Sequence, residues 1–141
     1  MYKRQIVNYN EVYFSKPFFY INESGIAVKK IADQLNIEPS KIIIVVDDMN
    51  LGLGEIRVRT KGGHGGHNGL RSIEYELGTN EYNRLRVGIG KPGSKNDHID
   101  YVLGDFSKNE ESIALKSIES AYLCILEIIN NGFAKAMEKF N

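Results

Sequence analysis

The chain has 141 residues, eighteen Lys/Arg against eighteen Asp/Glu, 42% hydrophobic residues and one Cys. That is enough for one globular domain with a real core. Zero net charge argues against a general nucleic-acid coating protein, and one Cys excludes internal disulfides and cysteine-based metal sites. No apolar run reaches membrane-spanning length and no signal-peptide core opens the chain, so a cytoplasmic location is expected.

In chain order, Met1–Gln5 carries no pattern and reads as an unrelated or disordered start. Ile6–Phe14 is rich in β-formers, with Asn8 and Asn10 as turn candidates, and predicts a hairpin stopped by Lys16-Pro17. After the short apolar run Phe18–Asn22, Ser24 is placed to cap a helix over Gly25–Asn36, with Val28, Ile31, Ala32 and Leu35 on one face. Ile42–Val46, five β-branched residues in a row, predicts a central strand covered on both faces. Asp47 and Asp48 follow it. Acids at a strand's carboxyl end have functional reach in α/β sheets, although a helix or turn cap explains them equally well. Glu55–Arg59 alternates, with Ile56 and Val58 on one face and Arg57 and Arg59 on the other.

Thr60–Leu70 reads TKGGHGGHNGL, with five glycines in eleven residues. Glycine at that density marks positive-φ backbone or close approach by another molecule. At a strand-to-helix junction such a loop aims its amides at an anionic or carbonyl ligand; a plain connecting loop is the alternative. Leu70–Leu77 then predicts a helix ended by Gly78. Arg84–Ile89 alternates again, with Leu85, Val87 and Ile89 inward and Arg84 and Arg86 outward. Lys91–Asp97 is a loop holding Lys95, and Tyr101–Leu103 reads as a short strand or extended connection. Ser107 through Glu110 forms a capping box. It opens a long helix to about Asn130 whose predicted buried stripe is Ile113, Ile118, Ala121, Tyr122, Ile125 and Ile129. Cys124 is a buried, inert thiol on this reading. Phe133–Phe140 is a last amphipathic helix. Interleaved strands and helices without repeats or linkers give one α/β domain over residues 1–141. Eight of the eighteen Lys/Arg, but only three of the eighteen Asp/Glu, lie between Arg57 and Lys95, which fits a few specific phosphate contacts.

The segments KPFFYINESG (16–25), VVDDMNLGLGEIRVR (45–59), KGGHGGHNGLRSI (61–73), LGTNEYNRLRVGIGKPG (77–93) and YVLGDFSKNE (101–110) together resemble the bacterial-type peptidyl-tRNA hydrolases. The resemblance implies a mixed, twisted β-sheet flanked by helices in a monomeric, cofactor-free and metal-free enzyme. It also implies cleavage of the ester between a peptide and the 3′ ribose of tRNA, which recycles tRNA in translation. By the same resemblance, Tyr20, Ile21 and Asn22 match an aromatic-Met-Asn triplet whose amide holds the substrate and polarises the ester carbonyl; Ile21 stands where Met is usual. Asp47 matches the acid that orients a catalytic imidazole. Asn68 matches an amide contacting the acceptor end, Gly65 and Gly66 allow close approach, and His67 supports the loop. Arg59 and Arg86, with Lys95 nearby, match positions that hold the 5′ phosphate.

One departure stands out. The family places its general-base His upstream of the Lys16-Pro17 segment, but fifteen residues precede Lys16 and none is His. The expectation is an N-terminally truncated member lacking roughly one strand-plus-helix unit, on the order of 30 residues. Loss of the base slows the reaction by about 10²–10⁴-fold. On this expectation the chain is part of a hydrolase that is active at full length but inactive as given, or a non-catalytic fragment that binds the tRNA acceptor end, or, more weakly, an inert gene remnant. His64, His67 and His98 are the remaining imidazoles, and His67 is the one considered as a stand-in partner for Asp47. An H-x-x-H in a glycine loop does not fix two metal ligands as a helical pair does.

Overall fold

A computed structural model describes residues 4–9, 11–18, 20–93 and 98–141. The contacts cluster into two units, Met1–Ile42 with Gly62–Glu81, and Ile43–Lys61 with Tyr82–Asn141.

The first unit opens with β1 (Arg4–Tyr9) and β2 (Val12–Pro17), an antiparallel hairpin in which Arg4 pairs with Pro17 and Tyr9 with Val12. Arg4 and Gln5 therefore belong to a strand, not to a patternless start, and Asn8 lies in the ladder opposite Tyr13. The turn adopts positive φ at Glu11 (63°), and Asn10 lies outside the described residues. Pro17 ends the strand at a position where a missing N–H is tolerated. A 3₁₀ turn at Ile21–Glu23 leads into α1 (Ser24–Leu35). Ser24 is not the cap that its position suggests. Its hydroxyl donates to the Ile21 carbonyl (2.7 Å), and Glu23 holds the N-cap position. Asn36 closes the helix in the left-handed conformation.

Helix α1 crosses α2 (Asn68–Leu77) closely. The Gly25 amide donates to Ser72 Oγ (2.9 Å), and a Cβ on Gly25 would lie 2.1 Å from the Ser72 carbonyl oxygen. Leu70 and Ile73 are buried, as the period predicts, and Gly78 ends α2 at φ 69°.

The second unit holds β3 (Ile43–Asp48), β4 (Ile56–Arg59) and β5 (Asn83–Gly88) in the order β3-β5-β4. Strand β5 is parallel to β3 and antiparallel to β4, so the sheet is mixed, as expected. The β-branched run of β3 is not a central strand. Among the described residues it pairs with β5 alone, and Val45 is 51% exposed. A continuous apolar run signals two covered faces only when both neighbours are present. The Tyr101–Leu103 segment is also not a strand. It lies in a six-residue helix, α3 (His98–Leu103), and the Tyr101 hydroxyl donates to the Ile89 carbonyl (2.7 Å).

Helices α4 (Lys108–Asn131) and α5 (Phe133–Phe140) cover one face of the sheet. The core joins Ile56, Val58 and Leu85 to Ala121, Cys124 and Ala136. The capping box forms: both the amide (2.9 Å) and the hydroxyl (2.6 Å) of Ser107 donate to the Glu110 carboxylate, which lowers the Glu110 pKa. The buried stripe of α4 is rotated from the expected one. Ser117, Ala121 and Cys124 face the core, while Ile113, Ile118, Tyr122 and Ile129 are exposed. Small side chains let the helix axis approach the sheet, and that approach selects the stripe over apolarity summed by residue. Burial pushes the Cys124 thiol above its ordinary pKa, and Glu127 adds to the rise. At the β4 edge, Asn141 Oδ1 accepts from the Val58 amide (2.8 Å) and Asn141 Nδ2 donates to the Val58 carbonyl (3.2 Å). None of the described helices is long and apolar enough to cross a membrane.

Candidate functional site

The second face of the three-stranded sheet follows from period two. Register pairs Arg57 with Arg86 and Arg59 with Arg84, so four guanidinium-bearing side chains share one face. The same register sets Ile44, Val46 and Asp48 in line beside them on β3. Like charges directly opposite each other on neighbouring strands repel, and Asp48 is the one carboxylate among these three strand rows. Its Oδ2 accepts from Arg86 Nε, and its Oδ1 accepts from the Asn50 amide (2.7 Å). The turn-cap alternative for this acid is thus partly right, and the ion pair adds a role that the sequence did not suggest.

Arg59 is exposed, with one Nη1 bond to its neighbouring Val58 carbonyl (3.1 Å). Arg86 is half-buried. Arg84, expected to point outward like Arg86, is only 2% exposed and lies over the Tyr82 ring at 4.3 Å from its centroid. Alternation gives the face a side chain points to, but not whether that face is open. Cation–π stacking suits a guanidinium held out of water. Lys95 lies outside the described residues.

Asp47 takes the opposite face from Asp48, as adjacent strand residues must. It lines a cavity of about 500 Å³ with Ile89, Tyr101, Val102, Gly104 and Phe106. Asp100, Asp105 and Glu110 share that lining. Carboxylates there favour a cationic or hydrogen-donating occupant, such as an imidazole, and disfavour phosphate. Two neighbouring acids therefore serve two chemically opposite surroundings.

The remaining candidates sit in the first unit. His67 is the N-cap of α2, its Nδ1 accepting from the Leu70 amide (3.2 Å). His64 Nδ1 accepts from the Gly66 amide (3.1 Å). Both loop imidazoles thus hold neighbouring backbone amides through their Nδ1 atoms. Gly65 and Gly66 adopt φ of 58° and 88°, and a Cβ on either would meet nothing within 4 Å. Their glycine requirement is conformational, and the space beside them is open to an incoming group. Asn68 is exposed at the first residue of α2, Tyr20 is exposed, and Asn22 is exposed within the 3₁₀ turn. His98 begins α3 and faces solvent.

The candidates therefore fall into two sets. Asp47, Arg59 and Arg86 share the unit built on the mixed sheet, while Tyr20, Asn22, Gly65, His67 and Asn68 share the unit built on α1 and α2. The sequence reading missed Asp48 as the partner of Arg86, because that pairing depends on a strand register that no local pattern reveals.

The model of a family described as peptidyl-tRNA hydrolase matches residues 1–141. The peptidyl-tRNA hydrolase of Francisella tularensis subsp. novicida is 42% identical over 135 residues, covering 96% of this chain and 71% of that protein. The peptidyl-tRNA hydrolase of Clostridium botulinum is 42% identical over 142 residues, covering 100% and 73%. Among solved structures, peptidyl-tRNA hydrolase from Acinetobacter baumannii superposes with a TM-score of 0.88 at 36% identity, covering 98% of this chain and 71% of that one. These matches run across this chain and over 71–73% of those proteins, and they show neither the expected missing N-terminal unit nor the inactivity drawn from it.

Proposed function

We propose that this chain, which belongs to the peptidyl-tRNA hydrolase family, hydrolyses the ester that joins a peptide to the 3′ ribose of tRNA. The observation that carries the reading is the sheet of the second unit. One face carries four arginines, of which Arg59 is exposed, Arg57 and Arg86 half-buried and Arg84 buried, and the other ends at Asp47 in an acidic cavity. The arginine face suits the phosphates of an RNA, with Arg59 and Arg86 as the ligands of the 5′ phosphate and Lys95 as a further cation. The cavity suits an imidazole that takes the proton of the attacking water, with Asp47 stabilising the imidazolium that forms. Water adds to the ester carbonyl carbon, and the tetrahedral intermediate expels the ribose 3′ oxygen, which takes the proton back from the imidazolium and leaves as a hydroxyl. The amide of Asn22 donates to the carbonyl oxygen as charge grows on it. Asn68 and the open backbone at Gly65 and Gly66 hold the acceptor end, and Tyr20 supplies an exposed ring for stacking.

A second reading, an acceptor-end binding module without turnover, is favoured by one observation: Tyr20, Asn22 and Asn68 are all exposed in the unit that holds the glycine loop. One experiment separates the two readings. The chain is mixed with an N-acetyl-aminoacyl-tRNA, and both tRNA binding and release of the acylated amino acid are measured. Release that slows by about 100-fold or more in Asp47→Asn supports hydrolysis. Saturable binding without release supports the binding module. Neither binding nor release overturns both.

A further inference from the structure

We propose that Asp48 is a positioning residue for anion recognition, locking the Arg86 guanidinium so that its remaining edge meets a phosphate in a fixed orientation. The inference rests on the reading of the arginine face as an RNA phosphate site, and it assigns a role to a residue that the reading does not use. Asp48 has both carboxylate oxygens engaged. Oδ1 is held by the Asn50 amide at 2.7 Å, and Oδ2 accepts from Arg86 Nε. The Asp48 side chain is only 11% exposed and that of Arg86 is 26% exposed. The acid is therefore fixed by backbone before it engages the base.

Arginine carries five N–H donors in a planar fork. A bond from Nε leaves the Nη groups available, and among the described residues they have no other hydrogen-bond partner in the structure. A guanidinium held at one edge has less rotamer freedom to lose when a phosphate docks on the other. Charge supports the same assignment. Arg86 lies directly opposite Arg57 in the ladder, and without an anion beside it the Arg86 side chain would swing away from its neighbour. Asp48 holds it on the arginine face instead. A carboxylate that competed with the phosphate would be expected to cover the Nη edge, which Asp48 does not.

The test uses two forms of one tRNA, with a 5′ phosphate and with a 5′ hydroxyl made by phosphatase. The readout is the ratio of their affinities, so a general loss of fold or affinity cancels. We expect the wild-type chain to prefer the phosphorylated form, Asp48→Asn to lose about tenfold of that preference, and Asp48→Glu to restore part of it. Arg86→Ala should lose the same preference, and the double substitution should lose no more than Arg86→Ala alone, as coupled partners do. An undiminished or increased preference in Asp48→Asn would make the acid a competitor and overturn the proposal, as would fully additive losses. A wild-type chain that binds both tRNAs equally would refute the phosphate reading itself, and this inference with it. Independently of RNA, the ¹⁵N–¹H resonance of Arg86 Nε in the free protein should shift in Asp48→Asn; an unmoved resonance overturns the lock.

Discussion

The two faces of the β3-β5-β4 sheet are made by the same strands and do opposite work. Odd positions of β5, Leu85 and Val87, join Ile43, Ile56 and Val58 under α4 and α5. Even positions, Arg84 and Arg86, join Arg57 and Arg59 on the other side. One residue of slip would exchange the two sets. The apolar face therefore fixes the register, and the register then fixes which cations stand together. A binding surface built this way inherits its precision from a core that its ligand does not need to touch.

The sharpest way to break that relation is to remove the packing and leave the charges. Leu85 is fully buried at the centre of the sheet, so Leu85→Ala should cost about 3 kcal/mol, measured by urea unfolding. The affinity for tRNA per folded molecule should hold, and a parallel fall in both would show that the faces are less separable than the register implies. The converse experiment strips the charged face. Arg59→Ala with Arg86→Ala should weaken tRNA binding and flatten the slope of log K against log salt by roughly one to two, and should lower the unfolding midpoint because the Asp48 carboxylate loses its partner. Unchanged binding would remove these two arginines from the phosphate site.

The smallest effect is expected at the cavity rim, where Glu110 both lines the cavity and closes the capping box of α4. Its bonds from Ser107 lower the folded carboxyl pKa. Its stabilisation is therefore complete above the ordinary carboxylate range and is lost as the pH falls through the lowered folded value. Unfolding midpoints at pH 7 and pH 3 should converge in Glu110→Gln relative to wild type. An identical pH dependence in the two proteins would deny the capping box any part in acid stability.

Much of this was legible in the sequence because the signals are local. The alternation of Ile56–Arg59 and of Leu85–Val87, the Gly78 stop and the Ser107–Glu110 box each need only a few neighbouring residues. So does the glycine loop, whose positive-φ requirement at Gly65 and Gly66 is a property of two adjacent peptide units. What was misread depends on distant partners. The apolar run of β3 does not report how many strands flank it. Arg84 and Arg86 share one alternation, yet one is stacked on Tyr82 and the other pairs with Asp48. On α4 the heaviest apolar stripe lost to Ser117, Ala121 and Cys124 because close helix–sheet contact rewards small side chains. Ser24 had a cap's identity, but its hydroxyl turned back to the Ile21 carbonyl.

The hydrogen bonds from the Asn141 side chain to Val58 carry a practical consequence. A side-chain amide there imitates one rung of a further strand and stoppers the outer margin of β4, where unsatisfied peptide groups invite self-association. Asn141→Ala uncorks that margin at Val58, and the freed edge then offers itself to the same edge of a second copy.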